Sequence, residues 1–211
     1  MKTFKIAVIG GTGKSGSYLV KRLLENQHSL KILVRNPDHK IPDHPLVEIV
    51  TGDARDYETI GSLLSNCKAV LSTLGQPKGE PSIFSTATKN VIRAMRNLGV
   101  DRYIVTTGLN VDTPFDQKDS KVRFATDWMY ANYPETTKDK QLEYEVLSQS
   151  GIRWTLVRLP RILQTDSHFP VTTSLENCPG ESISALDLAD FLISQLTDDS
   201  FTGKSPFLAN V

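Results

Sequence analysis

Short apolar runs rich in β-branched residues alternate along this chain with longer amphipathic stretches. The runs at 5–9, 30–34, 47–50, 69–73, 103–106, 154–157 and 207–209 are close to continuously apolar, as strands are when a parallel sheet is covered on both faces. Between them, 17–26 places Leu19, Val20, Leu23 and Leu24 on one helical face. Segment 57–64 reads as a short helix, and 81–98 as a long one with Val91, Ala94, Met95 and Leu98 at helical spacing. Segment 138–150 stops at Gly151, and 185–196 follows Ser184, a residue suited to capping. This alternation predicts one Rossmann-type, doubly wound α/β domain over 1–211, with a mostly parallel sheet and right-handed crossovers.

Two stretches break the rhythm. Residues 110–121 are polar and hold Pro114, and 161–181 hold Pro170, Pro179 and Gly180. Both follow predicted strands, and ligands of open α/β sheets bind beyond the carboxyl ends of strands. The substrate-side pocket and its lid are therefore expected at about 108–135 and 160–184. Phe124, Trp128, Met129, Tyr130 and Tyr133 lie in the first of these. They read either as an aromatic wall for a flat substrate or as packing residues, with packing favoured for Phe124. Tyr133 precedes Pro134 and is expected to end a helix.

The strongest local signal is Gly10-Gly11-Thr12-Gly13-Lys14-Ser15-Gly16, set between the first strand and the first helix. Glycines at 10, 13 and 16 let a pyrophosphate approach the backbone, and the helix N-terminus offers unpaired N–H groups. A phosphate-loop NTPase would need glycine at position 8, which is Val. An NAD-selective site places an acid at the end of the second strand, whereas this chain has Arg35 there and Lys14 in the turn. Two cations suit a 2′-phosphate, so NADP(H) is the expected cofactor. Asp53, after the third strand, reads as a partner of the adenine amine, as a cap of the next helix, or as both.

Charge and composition narrow the field. Lys plus Arg equals Asp plus Glu at 24 each, which gives no global field for nucleic acid. Cys67 and Cys178 stand apart, without metal-ligand spacing to any His, so neither a metal site nor a disulfide framework is expected. The apolar run at the N-terminus is too short for a signal peptide or a membrane helix. A cytoplasmic chain whose partner is a small-molecule acceptor is expected, with no membrane or nucleic-acid partner.

Gly-Gly-Thr-Gly-x-x-Gly at 10–16 is joined by Val34-Arg35-Asn36-Pro37, Gly52-Asp53, Leu74-Gly75 and Lys140. Ser150-Gly151-Ile152-x-Trp154-Thr155, Val157-Arg158-x-Pro160 and Ile183-Ser184-x-x-Asp187-Leu188-Ala189 follow. Over nearly its whole length the chain thus resembles the atypical branch of the short-chain dehydrogenase/reductase superfamily, near the NmrA-like proteins and the flavin reductase/biliverdin reductase B group. The resemblance implies that Gly10, Thr12, Gly13, Lys14, Ser15 and Gly16 hold pyrophosphate and that Arg35 holds the 2′-phosphate. It implies that Asp53 and Ala54 meet adenine and that Thr73, Leu74 and Gly75 run beside the ribose. Thr106, Thr107, Lys140 and Pro160 would surround the nicotinamide, with Thr107 and Lys140 the candidate catalytic side chains.

One departure matters. Ordinary members use Tyr-x-x-x-Lys, four residues setting both side chains on one helix face. Here Tyr130, Tyr133 and Tyr144 are followed at that spacing by Pro134, Thr137 and Ser148. The expected function is therefore NADPH-dependent reduction of a flavin- or quinone-type acceptor by direct hydride transfer. A non-catalytic NADP(H)-binding sensor of the NmrA-like type is the alternative.

Overall fold

The computed structural model describes residues 5–36 and 41–211. Pro37, the last residue of the expected strand-end motif, lies outside them. The first half of the fold runs β1 (Lys5–Ile9), α1 (Gly16–Glu25), β2 (Ser29–Val34), β3 (Val47–Thr51), α2 (Tyr57–Leu64), β4 (Cys67–Ser72) and α3 (Phe84–Leu98). The second half runs β5 (Arg102–Gly108), α4 (Ser120–Asn132), α5 (Pro134–Ser148), β6 (Arg153–Leu159), β7 (Arg161–Leu163), β8 (Val171–Ser174), β9 (Ser182–Ser184), α6 (Ala185–Ser194) and β10 (Phe207–Asn210).

The sheet order is β3-β2-β1-β4-β5-β6-β10-β9-β7, and β8 pairs with β10. Every pairing from β3 across to β6 is parallel, as is that of β6 with β10. β8 and β9 meet β10 antiparallel. The strand order reverses between β1 and β4, which opens a crevice at their carboxyl ends. One face of the sheet packs Ile60, Leu63, Val91, Met95 and Leu147 of α2, α3 and α5. The other packs Leu19, Val20, Leu23, Leu188 and Leu192 of α1 and α6. Truncating one such fully buried leucine to alanine costs about 2–5 kcal/mol.

The predicted Rossmann architecture is the observed one, with three departures. The helix expected from residue 81 starts at Phe84. Its own N-cap, Ile83, has no capping side chain. Asp139 of α5 instead accepts from the Phe84 and Ser85 N–H groups and from Ser82 Oγ. The helix expected from 138 begins at Pro134, placed where a missing N–H costs nothing. The stretch 161–181, expected as loop, contains β7 and β8, which are too short and too exposed to carry a periodic signal. Tyr133 does cap the end of α4, and Ser184 Oγ accepts from Asp187 N at 3.1 Å to cap α6. Among the described residues no helix is long and apolar enough to cross a membrane.

A candidate dinucleotide groove and an aromatic cavity on one sheet edge

The glycine turn folds on itself before it meets any ligand. Gly13 N donates to Gly10 O at 2.9 Å, and Thr73 Oγ1 reaches the same carbonyl at 3.3 Å. A Cβ on Gly16 would lie 2.0 Å from Gly10 O, and one on Gly10, whose φ is +80°, would lie 2.6 Å from Thr73 O. These two glycines are required by the turn itself. Gly13 differs: a Cβ there would meet only Gly10 O, at 3.1 Å, and otherwise open space. That space is a cavity of about 500 Å³, lined by Gly10, Thr12, Gly13, Lys14, Ser15, Arg35, Asp53, Ala54, Thr73, Leu74 and Gly75. Eleven expected cofactor residues therefore converge on one groove at the reversal of strand order. Gly16 stands behind it, buried under the turn.

At the far end of the groove four charges interlock. Arg35 Nη1 donates to Glu80 Oε1 at 2.7 Å, and Arg55 Nη2 donates to Glu80 Oε2 at 2.7 Å. Arg55 also grips Asp53 through Nε at 2.9 Å and Nη2 at 2.6 Å. Arg55 beside it holds the Asp53 carboxyl below the usual range. Asp53 does not cap α2: Asp56 does, accepting from Glu58 N and Thr59 N. The expectation that Asp53 caps the helix is corrected accordingly, and its oxygens are taken by Arg55. No sequence motif singles out Arg55 or Glu80, and Glu80 lies 45 residues from Arg35.

A second cavity, about 450 Å³, opens beyond the carboxyl ends of β5 and β6. Gly108, Asn110, Phe124, Trp128, Met129, Lys140 and Pro160 contribute to its walls. Phe124 is 71% exposed, which corrects its expected packing role: it faces the cavity and solvent, not the core. The ammonium of Lys140 sits 4.8 Å from the ring centroid of Phe84, a favourable cation–π distance. Burial pushes Lys140 below the ordinary lysine value, against the opposing charge of Glu143. Glu143, one turn further along α5, is fully enclosed and accepts from Thr88 Oγ1 at 2.7 Å. Its burial pushes its carboxyl up to about 7.

Thr106 and Thr107, expected together, are separated by strand alternation. Thr106 follows Ile104 toward the α1/α6 face, and its hydroxyl reaches Ser72 O at 3.4 Å. Thr107 follows Tyr103 and Val105 toward the α3/α5 face, which also carries Lys140. Five buried side-chain polar atoms have no hydrogen-bond partner among the described residues. Three of them, Gln76 Oε1, Thr107 Oγ1 and Asn110 Nδ2, lie along this sheet edge. An unpaired buried polar group costs about 1–3 kcal/mol, so a polar ligand spanning the edge has partners waiting. Groove, open Gly13 and orphaned atoms together fit a dinucleotide. Among the described residues no three His, Cys, Asp or Glu side chains converge as metal donors.

Comparison with known proteins agrees with this geometry. Residues 10–199 match the sequence model of a family described as NAD(P)H-binding. Cinnamoyl-CoA reductase 1 of Petunia hybrida is 26% identical over 149 residues, 64% of this chain and 44% of that protein. The chain spans less than two thirds of the length of the curated relatives it matches. Among solved structures, ChuY of Escherichia coli O157:H7, named an anaerobillin reductase, superposes with a TM-score of 0.77 at 18% identity, covering 98% of this chain and 97% of that one. A wide-type short-chain dehydrogenase/reductase from Veillonella parvula, solved with NADP, gives 0.78 at 15% identity, covering 98% and 94%. These two likenesses show a shared fold.

Proposed function

The chain belongs to this NAD(P)H-binding family, and from that premise we propose that it is a reductase that uses NADPH to reduce a small planar acceptor of the flavin or quinone type. The observation that carries the reading is the aromatic cavity beside Lys140, set on the same sheet edge as the dinucleotide groove. Bound in the groove, NADPH supplies the hydride. The chain supplies the rest. The glycine turn and the N-terminus of α1 would receive the pyrophosphate, Arg35 and Lys14 the 2′-phosphate, and Asp53 and Ala54 the adenine end. Thr73, Leu74 and Gly75 would flank a ribose, with Thr107, Lys140 and Pro160 at the nicotinamide end.

Thr136, not Tyr, stands four residues before Lys140. The proposed reaction therefore runs without a phenolic donor at this spacing, and solvent delivers the proton that accompanies the hydride. A flat conjugated acceptor spreads the incoming charge over its own rings, and Phe124 and Trp128 offer it faces to stack on. Holding donor and acceptor in register supplies much of the acceleration. Lys140 would stabilise the developing anion, and Thr107 would orient the acceptor or the cofactor amide. A fold neighbour solved with NADP and another named a reductase support the reading.

The test is NADPH oxidation against menadione, FMN and biliverdin, run beside calorimetric titration of NADPH and NADH. Turnover of at least one acceptor with a preference for NADPH is expected. Arg35→Ala should weaken NADPH roughly ten- to a hundredfold, the worth of a charge-assisted bond, and leave NADH nearly unchanged. Tight NADPH binding without turnover of any acceptor would overturn the reductase reading in favour of a sensor.

A further inference from the structure

The residue expected to select NADPH is already occupied. Glu80 places one carboxylate oxygen on Arg35 and the other on Arg55, each at 2.7 Å. Arg55 is shared further with Asp53. Two guanidinium groups therefore face two carboxylates, and the charge that Arg35 would offer to a phosphate is cancelled in place. Among the described residues lining the groove, Lys14 is the one cation beyond Arg35.

Glu80 is delivered by a loop with its own scaffold. Gln76 Nε2 donates to the carbonyls of Pro77 at 3.1 Å, Glu80 at 2.8 Å and Pro81 at 3.3 Å. The loop backbone is thus pinned around one half-buried amide, and Gln76 and Pro77 line the groove themselves. The Glu80 side chain is the free part. It is about one-third exposed, and Arg35 is about half exposed. An ion pair so wetted is weak, and a dianionic phosphate is a stronger partner for a guanidinium fork than a carboxylate. Rotation about its own side-chain bonds would free Arg35 while the loop stays in place.

We propose that Glu80 is a specificity-determining residue, an internal counter-ion that competes with the cofactor's 2′-phosphate for Arg35 and so sets how strongly the protein prefers NADP(H) over NAD(H). This rests on the assignment of Arg35 to the 2′-phosphate. Glu80 touches that phosphate's partner and stands outside the cavity of the reacting groups. Its removal therefore changes cofactor choice and leaves acceptor recognition alone.

The experiment is calorimetric titration of wild type, Glu80→Gln, Arg35→Ala and the double variant with adenosine 2′,5′-bisphosphate, AMP, NADP⁺ and NAD⁺. Thermal unfolding verifies that each variant is folded. Glu80→Gln should bind adenosine 2′,5′-bisphosphate and NADP⁺ about tenfold more tightly, with AMP and NAD⁺ unchanged. The gain should vanish when Arg35 is also replaced. Unchanged or weaker binding of the bisphosphate to Glu80→Gln would overturn the proposal and make Glu80 a support for Arg35. Equal gains for phosphorylated and unphosphorylated ligands would overturn it too, and make the loop a simple obstruction. The NADPH assignment fails separately, if wild type prefers NAD⁺ and Arg35→Ala changes nothing. A wild type preferring NAD⁺ in which Glu80→Gln restores bisphosphate binding through Arg35 would still support the counter-ion role.

Discussion

Arg158 Nη1 and Asp116 Oδ1 lie 2.6 Å apart, with the arginine wholly buried. Arg158 stands on β6, and Asp116 on the segment between β5 and α4. The same guanidinium donates to Val111 O, Leu175 O and Ser205 O and stacks 3.6 Å from the Phe207 ring centroid. One side chain thus ties both substrate-side loops and the last strand to the sheet. Without it Leu175 O and Ser205 O lose this donor, while Asp116 keeps the Thr113 N–H and hydroxyl and Lys118 at 3.6 Å; each orphaned acceptor costs about 1–3 kcal/mol. Arg158→Met should lower the denaturation midpoint accordingly, and the segment 109–119 should become the first site of limited proteolysis. A variant with the wild-type midpoint would show that the loops hold themselves.

The glycine turn separates folding from binding. Gly16→Ala forces a Cβ against the Gly10 carbonyl and should depress the melting temperature. Gly13→Val meets open groove on nearly every side. It should melt close to wild type and lose dinucleotide binding in a titration. The reverse pattern would mean that the groove is not the cofactor site.

Glu143 gives a pH-dependent stability of definite sign. Its carboxyl is raised from 4.5 to about 7 by burial, so above pH 4.5 the unfolded chain releases a proton that the folded chain keeps. The contribution of Glu143 to stability therefore falls as pH rises from about 4.5 to about 7 and then levels off. The full cost is on the order of 3 kcal/mol. Glu143→Gln keeps a carbonyl for Thr88 Oγ1 and removes the ionisation. In urea titrations the variant should exceed wild type at pH 8, and the difference should close by pH 5. A constant difference across that range would show that Glu143 does not titrate there.

The cavity wall has a simpler test. Phe124→Ala and Trp128→Ala remove exposed rings and should cost little stability. Each should raise the KM for a quinone or flavin acceptor severalfold while leaving the NADPH dissociation constant unchanged. An effect on NADPH alone would place these rings at the cofactor.

The parallel sheet is legible in the sequence because its central strands are buried on both faces, and a short, continuous apolar run such as 6–9, closed by glycines, suits a covered strand and little else. The glycine turn is legible because strand, turn and amphipathic helix follow one another without interruption. Strands β7 and β9 are not, since each has three residues and its partner is reached only after the chain has returned. The same distance hides Glu80 from Arg35 and Asp139 from the start of α3. Phe124 departs from its expected role because helical spacing records which residues share a face, and says nothing of whether that face meets the core or a cavity.

The two tryptophans occupy opposite environments. Trp128 is half exposed on the cavity wall, edge-on to Tyr133 at 5.7 Å. Trp154 is buried beside Tyr144 at 6.2 Å. With no third indole in the chain, the molecule carries two separable optical reporters. Water around Trp128 gives red-shifted emission, open to collisional quenchers and to any chromophore that settles beside it. The dry surroundings of Trp154 give blue-shifted emission that changes only when the core opens. A single emission spectrum can therefore register cavity filling and global unfolding as distinct events, without a label.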